Sequence, residues 1–418
     1  MNGSPQYDVL IVGGGMVGAS LAIALSGHGL RIGLVEAFAP GDPGQPGYDD
    51  RAIALAYGSR RIFQAMQVWS DLDGEAEPID AIHVSDRGHF GFTHLSAQEE
   101  QVPALGYVVT ARRLGHTLLG RLGECADVEL IAPAQVMAVD SDTRSAGVRV
   151  RRGTEEGELR ARLLVAADGG KSFLREQLQI PTQRWEYGQS AVVANITPAR
   201  PHRNVAYERF TDSGPVALLP MSEGRCAVVW TVRDEQLDEV MALDDAAFLK
   251  AFQERFGYRL GRFVKAGRRS SYPLSLLRAR ESVRQRIAII GNAAHTLHPI
   301  AGQGFNLGIR DVAALVDVVL DARHADADIG GADVLQRYAV WREAEQRNVA
   351  LATDGLARLF SNPLGIVRLW RNLGLLAVAL LPGALHALAR GAMGLLVTMP
   401  LLGRGLAPES CRSAQRTT

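Results

Sequence analysis

Apolar and polar positions alternate along this chain in two distinct rhythms. Tyr7 to Val12 is a short, mostly apolar run, Met16 to Ser26 is rich in Ala and Leu, and Arg31 to Glu36 is apolar again. Run length and composition predict strand, helix and strand, which is one βαβ unit. Ala39 to Tyr48 is dense in Pro and Gly and predicts a loop, after which Arg51 to Val68 returns to helix-like spacing. Ile79 to Val109 alternates, and Arg112 to Leu122 has the spacing of a helix. Strands are predicted at Val128 to Ile131, Val136 to Val139, Val148 to Arg151 and Arg162 to Ala166.

From Ser190 to Tyr272 period-two runs dominate, among them Ala191 to Ile196 and Arg225 to Val232, with the first strong helix at Asp244 to Phe256. A strand at Ile287 to Ile290 and a helix at Phe305 to Ala322 then repeat the grammar of the N-terminus. Everything after Val334 lacks strand signals and is expected to be helical. The fold class that follows is α/β with an α+β insertion. A Rossmann-like dinucleotide domain is expected from 1–78, 104–186 and 280–333. Segments 79–103 and 187–279 are expected to form an inserted, mostly antiparallel sheet domain, and 334–418 a C-terminal helical region.

Composition narrows the class. With 47% hydrophobic and 22% charged residues the chain is ordinary globular protein, not disordered. Lys+Arg and Asp+Glu both number 45, so no global field draws in nucleic acid and none is expected as a partner. Cys125, Cys226 and Cys411 stand far apart with no C-x-x-C spacing, which argues against a zinc site or a disulfide framework and for a reducing, cytoplasmic setting. Met1 to Tyr7 is short and polar and does not resemble a signal peptide.

Gly13, Gly15 and Gly18 form G-x-G-x-x-G between the first strand and the first helix. In that context the first glycine permits the tight turn, the second lets backbone approach a pyrophosphate, and the third lets helix and strand pack closely. Glu36 ends the second strand, 21 positions after Gly15, where a carboxylate can accept hydrogen bonds from adenosine ribose hydroxyls. The fingerprint points to an ADP-containing dinucleotide and leaves FAD and NAD open.

Two later segments add to it: Leu164-Val-Ala-Ala-Asp168-Gly-Gly170, and Gly291-Asn-Ala-Ala-His295-Thr-Leu-His-Pro299-Ile-Ala-Gly-Gln-Gly304-Phe-Asn306. In this order and spacing the three resemble the FAD-dependent aromatic hydroxylases of the para-hydroxybenzoate hydroxylase type, over nearly the whole chain. Asp50-Arg51-Ala-Ile-Ala-Leu55, Gly214-Pro-Val-Ala-Leu-Leu-Pro220 and His298 to Gly308 match the ubiquinone-biosynthesis hydroxylases within that group. Gly291-Asn292, where most members carry Gly-Asp, is similar to the 2-polyprenyl-6-methoxyphenol hydroxylase subgroup. Asn keeps an acceptor, adds a donor and loses the charge.

The resemblance implies reduction of FAD by NAD(P)H, capture of O2 as a flavin hydroperoxide, and transfer of one oxygen atom to a polyprenylated phenol. It places Arg51 and Arg112 near the flavin, and Asp168 with Gly169 at the pyrophosphate. Gly291, Asn292, Pro299, Gly302, Gly304, Phe305 and Asn306 are expected along the ribityl chain and isoalloxazine, with Arg51, Pro299 and Gly302 shaping the reacting environment. It also implies two rivals: a same-fold reductase or epoxidase of an isoprenoid, and a non-catalytic member of a quinone-biosynthesis complex. No metal is expected, since His295 and His298 lack a third ligand at metal-site spacing. His83, His89 and His94 are expected at the surface or in a substrate pocket, and no base follows from them.

Val367 to Leu402 carries Arg368, Arg371 and Arg390 as its only charges, amid Leu, Ala, Val and Trp370. Two readings compete for it: helices packed on the protein or a partner, and a basic amphipathic surface set peripherally on the inner membrane face, where a lipid-tailed substrate enters. Pro382 and the shortness of the apolar runs argue against a spanning helix.

Overall fold

The computed structural model describes residues 5–42, 50–88, 92–297, 302–361, 381–395 and 399–408. The strand Tyr7–Val12 lies inside a parallel sheet, between Ile32–Val35 and the long strand Glu155–Ala166. Val128–Ile131 extends the sheet on one side and Ile287–Ile289 on the other, both parallel. Strands buried on both faces need continuous apolar runs, which is what Val9 to Val12 and Leu163 to Ala166 supply. Val12 pairs with both Val35 and Ala166, so three carboxyl ends finish level. That edge is where an open α/β sheet places its ligand.

Helices Met16–Leu25, Ala111–Gly123 and Gln303–His324 share one core on a face of this sheet, through Leu21, Leu25, Leu114, Leu118 and Leu315. The opposite face is covered by an antiparallel pair, Gln135–Ser141 and Ala146–Arg152, and by the short helix Phe173–Gln177.

A nine-stranded sheet gathers most of 182–279 with Ala81–Asp86, Phe92–Ser96 and His295–Thr296. Its pairings are antiparallel except between Val205–Thr211 and Ala81–Asp86. One face is sealed by the helix Asp245–Phe256, whose Phe248 and Phe252 each sit 5.7 Å from Trp230. Asp244 caps that helix by accepting from the Ala247 N–H at 2.7 Å.

The expectation of a helix from Arg51 to Val68 needs correction. Ala52–Ala56 is a strand, paired antiparallel with Gly106–Thr110 in a three-stranded sheet that includes Glu77–Ile79, and the helix runs only from Tyr57 to Ala65. Periodicity alone cannot separate a five-residue apolar strand from a helical turn; the partner strand decides. Of the two places expected for His83 the surface does not hold: it is buried between Phe92 and Tyr207, and burial with nearby Arg259 pushes its pKa down to about 4. His89 lies outside the described residues.

Candidate active site

The glycine turn separates into three physical roles. Gly13 has φ +105°, and a Cβ there would lie 2.4 Å from the Ala167 carbonyl oxygen. A Cβ on Gly18 would lie 1.9 Å from the Gly13 carbonyl oxygen, so helix and turn touch through it. Gly15 has nothing within 4 Å and starts the helix Met16–Leu25 with no side-chain cap. An unobstructed helix N-terminus presenting backbone N–H groups suits a pyrophosphate. The Glu36 carboxylate is held by the Gly14 N–H at 2.7 Å and the Phe38 N–H at 3.0 Å. Together these fit the ADP half of FAD.

Asp168 follows the strand Glu155–Ala166, next to Gly13. Its carboxylate accepts from the Ser172 hydroxyl at 2.5 Å and the Leu174 N–H at 3.1 Å, and burial raises its pKa. The carboxylate thus anchors the start of helix Phe173–Gln177. Gly169 has φ +82° and open space around its Cα. Arg175, which carries no signal along the sequence, is buried and donates to the Ala293 carbonyl and the Gly170 carbonyl, each at 2.9 Å. It ties the second glycine segment to the third.

In the third segment Gly291 has φ +59°, and a Cβ there would lie 3.1 Å from Val17 on the first helix. Asn292 is exposed. Gly302, at φ +60°, caps Gln303–His324 and faces Ala54, while Gly304 in the first turn has nothing within 4 Å of a built Cβ. Phe305 stacks on Phe63 at 6.4 Å. Pro299 and His298 lie outside the described residues.

Asn306 uses its whole amide on the protein. Nδ2 donates to the carbonyls of Ala54 and Gly302, both at 2.8 Å, and Oδ1 accepts from the Ala56 N–H and the Ser59 hydroxyl, also at 2.8 Å. With all four capacities filled, its side chain positions the Gly302 turn against the strand Ala52–Ala56. Asn306→Ala leaves several buried polar groups unpaired at about 1–3 kcal/mol each. FAD release on heating, followed by flavin fluorescence, is expected to occur at a clearly lower temperature than in wild type.

Arg51 places its guanidinium 4.6 Å from the Tyr272 ring centroid, and its carbonyl accepts from the Ala111 N–H at 2.8 Å. Arg112, on the helix Ala111–Gly123, pairs with Asp50 at 3.1 Å in an exposed position. The Asn195 amide reaches the Asp50 carbonyl at 3.4 Å, so the nine-stranded sheet meets the Asp50–Arg51 segment directly.

Behind the third segment lies a buried charge network. Asp311 accepts from the Gly291 N–H at 3.1 Å, His295 Nε2 at 2.6 Å, Arg342 Nε at 2.8 Å and Gln346 Nε2 at 3.0 Å. Arg342 also pairs with Glu345, which pairs with Arg310 at 2.5 Å. Burial by itself would raise the Asp311 pKa, but His295 and Arg342 hold it far below the ordinary carboxylate range. His295 is thus bound to a carboxylate, and among the described residues no group of His, Cys, Asp and Glu is arranged to hold a metal ion.

Residues 6–347 match the FAD binding domain family model. The chain belongs to the FAD-dependent hydroxylase family. A ubiquinone hydroxylase of Rhodospirillum rubrum is 38% identical over 393 residues, covering 94% of this chain and 91% of that protein. The 3-demethoxyubiquinol 3-hydroxylase of Escherichia coli is 31% identical over 376 residues, covering 88% and 94%. In fold, the chain superposes on the p-nitrophenol 4-monooxygenase of Pseudomonas putida with a TM-score of 0.77, at 17% identity and covering 93% and 98% of the two chains. This flavoprotein is an FAD-dependent monooxygenase, a class that takes electrons from NAD(P)H and oxygen from O2. FAD supplies the electron transfer and oxygen activation; the chain's residues bind, orient and exclude water.

Proposed function

We propose that this monooxygenase hydroxylates the aromatic ring of a polyprenylated methoxyphenol on the route to ubiquinone. What supports the reading is the extent of the likeness to a ubiquinone hydroxylase: 94% of the chain is covered, so the nine-stranded sheet is included as well as the cofactor unit. Glu36, Gly13, Gly15 and Gly18 hold the ADP moiety, and the turn at Gly302 to Phe305 with Arg51 approaches the flavin ring. Asp168 and Gly169 stand at the pyrophosphate through their backbone, Gly291 and Asn292 along the ribityl chain. Arg112, held by exposed Asp50, lies at the rim.

In this reading 79–103 and 187–279 supply most of the substrate layer, although the nine-stranded sheet also takes in residues from 182 and the short strand His295–Thr296. Among the described residues no helix is long and apolar enough to cross a membrane. The helix Pro382–Ala392 buries Ala389 and leaves Leu388 46% exposed beside exposed Arg390, with Leu381 just before it 58% exposed. That composition suits peripheral contact with the cytoplasmic membrane face, from which a lipid-tailed phenol would enter.

The test is quinone-intermediate profiling by mass spectrometry in cells lacking the protein. Accumulation of the unhydroxylated methoxyphenol is expected, with loss of ubiquinone. Normal ubiquinone and no accumulated precursor would sink the proposal. Purified protein without FAD and without phenol-stimulated NAD(P)H oxidation would instead favour a non-catalytic member of a quinone-biosynthesis complex.

A further inference from the structure

The two faces of the nine-stranded sheet differ. One is the Phe248 and Trp230 core. On the other, pairing register sets out rows of side chains across the strands, because residues directly opposite in a ladder share a face. One row reads Val84, Glu208, Ala217, Val229, Val193 and Ser270. All six are partly accessible. The row on one side is closed, with Asp86, Phe210, Thr231 and Ala191 buried, while on the other Ala206 and Ala227 are buried but their partners Ile82, Leu219 and Asn195 are partly accessible. The accessible row is therefore the floor of a trough along one covered flank, about 24 Å long at about 4.8 Å per strand.

The trough adjoins the flavin site. Ala206, one pleat before Glu208, packs in the cluster that holds Ala52 and Tyr57, the first residue of the strand that Asn306 ties to Gly302 and the residue just after its end. At its far end Ser270 is two residues from Tyr272, the platform of Arg51.

Five of the six floor positions carry no charge. Glu208 alone is ionisable, and among the described residues it has no hydrogen-bond or ion-pair partner. A carboxylate in an apolar site without a partner is costly, and a protein carries one where something else will occupy it.

Building on the reaction proposed above, we propose that Glu208 is the catalytic base that receives the phenolic proton of the substrate. The phenol O–H bond breaks, the proton passes to a Glu208 carboxylate oxygen, and the electron pair stays on the phenolate, enriching the ring carbons ortho and para to it. The proton returns to the ring oxygen when the hydroxylated product has regained aromaticity. Burial pushes the Glu208 pKa up to about 7 with no charged neighbour contributing. The group is thus poised near the operating pH of a general base. Arg209 and Arg259, which act on His83, face the other side of the sheet with Tyr207. Glu208 on an otherwise uncharged floor, with Asp86 buried in the adjoining row, fits a neutral phenol with an apolar tail and repels an aromatic acid.

The probe is a short-chain prenylated 2-methoxyphenol, offered to FAD-loaded wild type, Glu208→Gln and Glu208→Asp, with retained FAD and thermal midpoint as the check on folding. In wild type the phenolate absorbance band of the bound probe is expected to rise with pH through about 7, together with kcat. In Glu208→Gln both pH responses should vanish and hydroxylation should fall about 10²–10⁴-fold, the usual worth of a positioned base. Glu208→Asp should restore part of each. Hydroxylation by Glu208→Gln within about threefold of wild type, or an unchanged pH profile, would overturn the assignment while leaving the reaction intact. Absence of any phenolate band in wild type overturns it too. A Glu208-dependent phenolate band without hydroxylated product would support Glu208 and defeat the reaction proposed for the chain.

Discussion

Gly15→Ala is expected to give a folded protein that purifies without its yellow cofactor. Gly15 has φ −64° and ψ 177°, which alanine adopts freely, and no protein atom lies within 4 Å of the added Cβ. In the proposed site the methyl group would enter the space through which the pyrophosphate reaches the helix N–H groups. FAD affinity should fall at least about 10²-fold, or about 2.8 kcal/mol, with the circular dichroism spectrum unchanged. Gly18→Ala carries the opposite expectation. Its Cβ would meet the Gly13 carbonyl oxygen at 1.9 Å, a backbone atom with no room to retreat. Helix and turn must separate, at a cost beyond the 4–5 kcal/mol or so that marks exceptional substitutions, and soluble protein should not be recovered. Full FAD occupancy in Gly15→Ala, measured by the ratio of flavin to protein absorbance, would show that the cofactor does not pass over this turn.

The second large effect is expected at Asp311. Asp311→Ala removes the acceptor of four donors at once and leaves Arg342 and its neighbours with unbalanced buried charge. Breaking a buried ion pair by deleting one partner costs about 3–5 kcal/mol. The thermal midpoint should drop steeply, and FAD should be lost with it because the Gly291 N–H loses its acceptor. Asp311→Asn, which keeps the shape, should recover only part of the loss. The pH dependence has a definite sign. Asp311 has a folded-state pKa below the ordinary value of 3.8, so its contribution is complete above about 4. It is lost as pH falls further, and wild type should therefore destabilise more steeply than Asp311→Asn in that range. Equal acid sensitivity of the two proteins, read by thermal melts between neutral and acid pH, would count against this network.

The βαβ unit, the three glycine segments and most strands of 128–289 are legible in the order of residues along the chain. Each rests on local chemistry: a turn that only glycine can make, a helix start, or a period-two run. Gly13 and Gly18 illustrate why, since their neighbours are a few residues away or on the next parallel strand. Where periodicity misleads, the deciding partner is remote. Ala52–Ala56 is a strand because Gly106–Thr110 lies beside it, and His83 is buried because Phe92 and Tyr207 close over it.

Roles at the site divide the same way. The residue types at Gly15 and Glu36 announce a dinucleotide from their spacing, whereas the side chain of Asn306 is shown to be a strut only by its four bonds, three of them to residues some 250 positions away. Asp311, Arg175 and Arg342 carry no pattern along the chain, because a buried charge is recognisable only through the partners that neutralise it. Glu208 sits in an ordinary alternating strand. Sequence periodicity assigns it to one face of a sheet; register across the ladder, and the closed row of Phe210 and Thr231 beside it, turn that face into a trough and leave one unpartnered carboxylate on its floor.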